Sequence, residues 1–345
     1  MKLLEMMTGP WAILPATLVE IQAVYTTHLR GDKIDIASIE ARMGRPLASE
    51  QQAYQVHPGG VAVLRASGVM APKANLLTQV SGGISTQMLA RQFDGMAADA
   101  SVRSVVFAPD SPGGNALGVP AAAKALANLA RLKPTVTVGE GIMASAMYWV
   151  ASAANAMYIE GETDMVGSIG VVQRLSWDKA DPNSMELVRG KYKRLSVNGN
   201  PPSAEVLAQA EAQMDYLYSI FVDTVAQHRG TTSQRVLDRM ADGRVFMGQQ
   251  AIDAGLVDGI STVDAMVEQL ATNPDRFKRR TGGGGAAQAN ALPTGRSVAQ
   301  ALPVVEKPIP IAQWPRDEQA TAAKRWAQLK GISFMQACKS LGIQH

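Results

Sequence analysis

The chain has 345 residues, of which 46% are hydrophobic and 18% charged, with a formal net charge of +3. That length holds one large domain with extensions or two modest domains, and so small a net charge gives no electrostatic ground for binding nucleic acid. The single cysteine, Cys338, excludes an internal disulfide and a multi-cysteine metal site.

From the N-terminus, Met1 to Tyr25 is apolar but interrupted by Glu5, Pro10, Pro15 and Glu20. It lacks the charged-then-apolar order of a secretory signal. No uninterrupted apolar run reaches about 18 residues, so no membrane anchor is expected and a cytoplasmic setting is. Residues 1–55 read as a helical extension, with helix-compatible apolar spacing over 16–28 and 35–43. The core begins at Gly60-Val-Ala-Val-Leu, an apolar run with strand character. A helix is predicted near Thr86 to Ala98 and a buried strand over Val102 to Ala108, running into a turn at Asp110-Ser-Pro-Gly-Gly. Ala121 to Leu132 reads as a helix and Pro134-Thr-Val-Thr-Val-Gly as a strand. Ser145 to Ala153 reads as a helix whose first turn holds the serine. Short strands follow at Ala156 to Glu160 and Val166 to Val172. Strands alternating with helices predict an α/β fold of ββα or βαβ units.

Ser203 to Arg229 is a long amphipathic helix with Pro201-Pro202 at its start. Shorter helices are predicted at Val236 to Met240, Gly248 to Ala254 and Val263 to Ala271. The main compact domain is therefore expected to span 56–275. Residues 276–315, with four consecutive glycines and recurrent prolines, read as a flexible linker. Residues 316–345 read as a C-terminal tail whose Trp326 and Phe334 could dock to a partner.

Four segments could carry chemistry. Ser145 lies among small residues at a helix start, where backbone N–H groups and the positive dipole end favour a developing oxyanion. Taken alone, a buried small serine or a helix cap is the plainer alternative. Asp110-Ser-Pro-Gly-Gly follows a strand, and its glycines leave N–H groups unobstructed for an oxyanion; a tight turn without a ligand is the alternative. Lys193 lies in a short polar segment, and a lysine serves as a base only when burial makes it neutral. Lys191, two residues away, competes with it, and on an extended segment both point the same way. A solvated basic cluster with Arg189 and Arg194 is the plainer alternative. Gly167-Ser-Ile-Gly offers Ser168, whose hydroxyl could hold a neutral amine, or a simple β turn. None of the four histidines lies near these segments in sequence.

The order of these pieces resembles the signal peptide peptidase A family of Ser-Lys peptidases. The likeness runs from about Gly60 to Leu270, through Asp110 to Gly114, Ala144 to Ala153, Gly167 to Val171, Gly190-Lys-Tyr-Lys and Gly243-Arg-Val-Phe to Gly255-Leu-Val-Asp-Gly. The resemblance implies Ser145 as nucleophile, Lys193 as general base, Gly114 and the Ala146 N–H as oxyanion hole, and Ser168 as the residue orienting the lysine. It implies the ClpP/crotonase-like superfold, no cofactor, no metal and homo-oligomeric assembly. The chain departs from the family at Met147, where glycine is frequent, at Ala108-Pro109 and at Arg194. The helical extension and linked tail are similar to those of phage and prophage members, which implies head-maturation work inside a procapsid, on scaffold, portal or capsid proteins. A crotonase-like acyl-CoA enzyme shares the Gly-Gly turn, and a non-catalytic capsid or scaffold component would keep the fold; both are alternatives.

Overall fold

Short runs rich in valine and alanine bury both of their faces only when helices cover both sides of a parallel sheet. That is the arrangement in the computed structural model, which describes residues 11–14, 17, 54–73, 83–173 and 202–278. Among the described residues the largest sheet has six strands in the order β13-β10-β8-β6-β3-β2. These are β13 (Gly259–Ile260), β10 (Ala156–Ile159), β8 (Thr135–Gly139), β6 (Ser104–Asp110), β3 (Val61–Ser67) and β2 (Gln55–His57). All neighbours pair in parallel except β2 and β3.

Alternation along the strands divides their side chains between two faces. Val61, Val63, Val106, Ala108, Val136 and Val138 pack on one face against Val263, Met266 and Leu270 of α7 (Val263–Thr272) and against Phe277. α1 (Thr86–Ala98) also packs on the sheet, where Phe93 meets Phe107 edge-on at 5.2 Å between ring centroids. α2 (Val119–Leu132) lies beside α1. α1 starts on a side-chain cap, the Ser85 hydroxyl accepting from the Met88 N–H. The expected helices at 86–98 and 248–254 agree residue for residue with α1 and α6 (Gly248–Ala254).

Two smaller sheets build the site. One has the order β1-β7-β4-β5, from β1 (Trp11–Ile13), β7 (Gly113–Asn115), β4 (Met70–Ala71) and β5 (Ile84–Ser85). The other has the order β12-β11-β9, from β12 (Val245–Met247), β11 (Met165–Gly167) and β9 (Ile142–Ala144). The Gly-Gly pair therefore lies in a strand, not in the turn read from the sequence. Pairing on both edges of β7 overrides the turn propensity of glycine. Trp11–Ile13 is a strand within the segment read as a helical extension, because β7 offers it an open edge. The linker, the tail, and Lys191 with Lys193 lie outside the described residues. No helix among the described residues is long and apolar enough to cross a membrane.

Gly114 is the tightest point of the second sheet. A Cβ there would stand 2.0 Å from the Met70 carbonyl oxygen and 2.6 Å from its Cα. The obstacle is backbone, which cannot swing aside as a side chain does. Gly114→Ala is expected to cost about 3 kcal/mol of stability or more, read as a lowered midpoint in urea unfolding.

Candidate active site

Ser145 stands between β9 and α3 (Ala146–Ala151), as the residue before the helix. Its backbone has φ 54° and ψ −119°, in the region that only glycine visits at little cost. The helix expected to contain the serine in its first turn thus begins one residue later. Such strain costs about 1–3 kcal/mol and persists only where neighbours over-determine it. Here the Ser145 N–H donates to the Gly167 carbonyl at 2.7 Å, and the Ser145 carbonyl accepts from the Trp149 N–H at 2.9 Å. One residue earlier, the Ala144 N–H donates to the Ser111 carbonyl at 3.1 Å. A serine on a sharp strand-to-helix turn is presented outward from its own backbone, as nucleophiles are.

The helix behind it is held on every side. Ala146 to Ala151 are all buried. The Trp149 ring stacks on Phe221 of α4 (Ala204–Arg229) at 4.5 Å. The Tyr148 hydroxyl donates to the Leu256 carbonyl at 2.9 Å, and burial pushes its pKa well up. Ser152, which ends the helix, donates to the Trp149 carbonyl at 2.8 Å and sits 2.9 Å from His228 Nδ1. A histidine that is remote in sequence therefore reaches this helix, but it meets Ser152, not Ser145.

β9 pairs in parallel with β11, Ala144 opposite Gly167. The two residues that follow these strands are Ser145 and Ser168. Ser168 also has positive φ, 50°, and its N–H donates to the Arg244 carbonyl at 2.8 Å. The pairing register puts the two serines at the ends of adjacent strands, which their 23-residue separation in sequence does not reveal. Gly113 completes the group. A Cβ on it would lie 2.9 Å from Ser145 Cβ and 3.0 Å from the Ala146 nitrogen. Gly114 is the next residue along β7 and faces the Met70 backbone instead. The structure thus sets Gly113 against Ser145 and Ala146, with Gly114 next along β7 and Ser168 at the end of the strand paired with β9, while Lys193 and Lys191 lie outside the described residues.

Two residues that the sequence reading did not single out organise the glycines. The Ser111 hydroxyl donates to the Gly68 carbonyl at 2.6 Å and accepts from the Gly113 N–H at 3.2 Å. Asp110 accepts from the Ile142 N–H at 3.2 Å, tying β6 to β9. Their signal was present as the polar pair ahead of Pro112, but its partners are distant in sequence. No group of three metal-ligating side chains occurs among the described residues.

A strained serine at a helix start with a glycine against its Cβ is a serine-hydrolase type of arrangement. Residues 127–275 match the family described as Peptidase family S49. It is 29% identical to capsid assembly protease C of Escherichia phage lambda over 243 residues, 68% of this chain and 54% of that protein. It is 29% identical to the chloroplastic serine protease SPPA of Arabidopsis thaliana over 223 residues, 62% of this chain and 33% of that protein. A Methanocaldococcus jannaschii protein whose name gives it provisionally as a protease is 33% identical over 192 residues, 53% of this chain and 61% of its own length. The chain thus spans between a third and three-fifths of the length of these relatives. A solved Acinetobacter baumannii structure described as an enoyl-CoA hydratase/isomerase overlays at TM-score 0.41 and 14% identity, over 67% of this chain and 86% of that one. That likeness is too slight to argue from.

Ser145 Oγ is fully buried and has no hydrogen-bond partner among the described residues. An unpaired buried hydroxyl costs about 1–3 kcal/mol. Ser145→Ala is therefore expected to unfold at the same temperature as wild type or higher, measured by thermal melting. A clear fall in the midpoint would mean that the hydroxyl is bonded in the folded protein.

Proposed function

We propose that the chain is a serine endopeptidase with a Ser-Lys dyad, Ser145 as nucleophile and Lys193 as general base. The observation that carries this reading is the buried, unpartnered Ser145 hydroxyl, on a strained backbone, beside Gly113 and the Ala146 N–H. A hydroxyl kept without a partner costs stability, and a base supplied from the segment near 193 would give that cost a purpose. The neutral Lys193 amine takes the proton from Ser145 Oγ as the oxygen attacks a peptide carbonyl. Charge then develops on the carbonyl oxygen, where the N–H groups of Gly114 and Ala146 receive it. The lysine returns the proton to the departing amine, and water enters to release the acyl group by the same route. Ser168, at the end of the strand paired with β9, orients the amine. No cofactor and no metal enter the scheme.

The fold that suits this reading is the ClpP/crotonase-like superfold, with ββα units presenting a glycine pair and a helix start to one carbonyl. The phage setting rests on likeness to proteins named capsid assembly protease C and, in phage P21, head-tail preconnector protein GP5. By that likeness the substrates are scaffold, portal or other head proteins, cut inside the procapsid in the host cytoplasm by a homo-oligomer. The linker after residue 278 is a further candidate substrate for the same serine.

Two tests follow from the mechanism. Ser145→Ala and Lys193→Ala are each expected to lower kcat by about 10⁴-fold or more, and the double variant to be little worse than either, since the two groups act as one unit. Lys191→Ala should stay active; the reverse pattern at 191 and 193 moves the base to Lys191. The readout is fragmentation of head proteins co-expressed from the same genomic neighbourhood.

The pH profile has a definite sign. The base works only as the neutral amine, so activity rises as pH rises through the lysine pKa and is lost as pH falls below it. A rate–pH series on one peptide substrate measures this. A profile flat down to about pH 5, far below an ordinary lysine pKa near 10.4, argues against a lysine base.

A further inference from the structure

β7 has two edges. One pairs with β4, Met70 opposite Gly114. The other faces Ser145, and the chain's own residues 11–14 occupy it. β1 runs antiparallel to β7, with Trp11 opposite Asn115, Ala12 opposite Gly114 and Ile13 opposite Gly113. The Leu14 N–H donates to the Pro112 carbonyl at 3.1 Å. Hydrogen-bonded pairs alternate along an antiparallel ladder, so the next such pair is Ala12 with Gly114, and the Gly114 N–H donates to the Ala12 carbonyl. On the outer side, the Trp11 N–H donates to the Val172 carbonyl at 2.8 Å, and the Val172 N–H to the Trp11 carbonyl at 2.7 Å. The segment is clasped on both edges.

The Ala12 carbonyl lies close to the candidate site. A Cβ on Gly113 would lie 2.4 Å from the Ala12 oxygen, 2.9 Å from Ser145 Cβ and 3.0 Å from the Ala146 nitrogen. The three groups converge on one small space. The Gly114 N–H, assigned above to the oxyanion, is already taken by this carbonyl. An extended peptide that is to be cut must lie along the same edge of β7, since main-chain pairing is what seats an added strand.

We propose that residues 11–14 are a built-in, substrate-like strand that fills the peptide cleft and holds the enzyme inactive until it is displaced. The inference rests on the peptidase reading above. The strand's side chains, Trp11 and Ile13, pack in a small cluster with Ala71, Val69 and Val172, separate from the valine core of the large sheet. Its hold on β7 is main-chain pairing, which a substrate of another sequence can replace. Trp11 and Ile13 share one face of the strand, and Ala12 faces the other way. The cleft thus accommodates a small residue at the position paired with Gly114, with large apolar residues on either side.

The test uses the full chain with Trp11→Cys, Val172→Cys and Cys338→Ser. Trp11 and Val172 exchange both hydrogen bonds, a geometry with Cα atoms about 5.5 Å apart, within disulfide range. Oxidation should link the pair, verified by mass. The linked protein should react with a fluorophosphonate probe at least about tenfold more slowly than the same protein after reduction, as expected when a closed state leaves a tenth or less of the molecules competent. Full-length Ile13→Asp, checked for folding by circular dichroism, should react faster than wild type, because a carboxylate cannot stay in that apolar cluster. Equal rates in linked and reduced protein overturn the proposal. So does a pair that does not link, or an Ile13→Asp variant that is folded yet no faster than wild type. Absence of labelling in every folded form, with the link still made, removes the peptidase reading itself and the inhibition with it.

Discussion

The 2.7 Å hydrogen bond from the Ser145 N–H to the Gly167 carbonyl joins the two strands that carry the site. It extends the parallel pairing of β9 and β11 by one residue, to the point where both chains turn. Both turning residues are serines with positive φ. Neither conformation is intrinsically favourable for serine, and each is held by bonds to backbone on another element. Ser145 is pinned to Gly167, and Ser168 to Arg244. The geometry of the candidate nucleophile is thus a property of the small three-stranded sheet, not of the local sequence.

That sheet needs a rigid support, and α3 gives it one. A helix buried all round has no solvent-facing side to relax into. Tyr148 and Trp149 anchor it at opposite contacts, to the Leu256 carbonyl and to the Phe221 ring. Leu256 lies close to Asp258, which pairs with Arg229 at 2.6 Å and accepts from the Met157 N–H at 2.8 Å. The guanidinium is mostly shielded from solvent while its carboxylate partner is partly exposed. The pair therefore acts more as a geometric clamp between α4 and the sheet edge than as a large source of stability. Strain at Ser145 is tolerated because this packing leaves the backbone no alternative.

The glycine pair shows how closely recognition and packing are joined here. Gly114 admits the Met70 carbonyl on one side, and Gly113 admits Ser145 and the Ala12 carbonyl on the other. Any side chain at either position would separate β7 from a neighbour. The same bareness that lets the strands close also leaves main-chain donors available to an added strand. In this chain the added strand is its own N-terminal segment.

Much of the fold was legible in the sequence. The apolar runs at Val61, Val102 and Thr135, the helix over 86–98, the proline-led helix ending at Arg229 and the helix over 248–254 follow from periodicity, caps and proline placement, which are local. Ser145, Ser168 and the glycine pair were legible as candidates because small residues beside a hydroxyl are unusual enough to notice. Tertiary structure decided the rest. β1, β7, β9 and β12 are three residues long, too short for a period of two to register, and they exist only because a partner edge lies beside them. The positive φ at Ser145, the placing of Ser168 at the end of a paired strand, the roles of Ser111 and Asp110 and the seating of Ala12 beside Gly114 all arise from contacts between distant segments. Sequence determined which residues could do chemistry. Strand pairing between remote parts of the chain decided which of them meet.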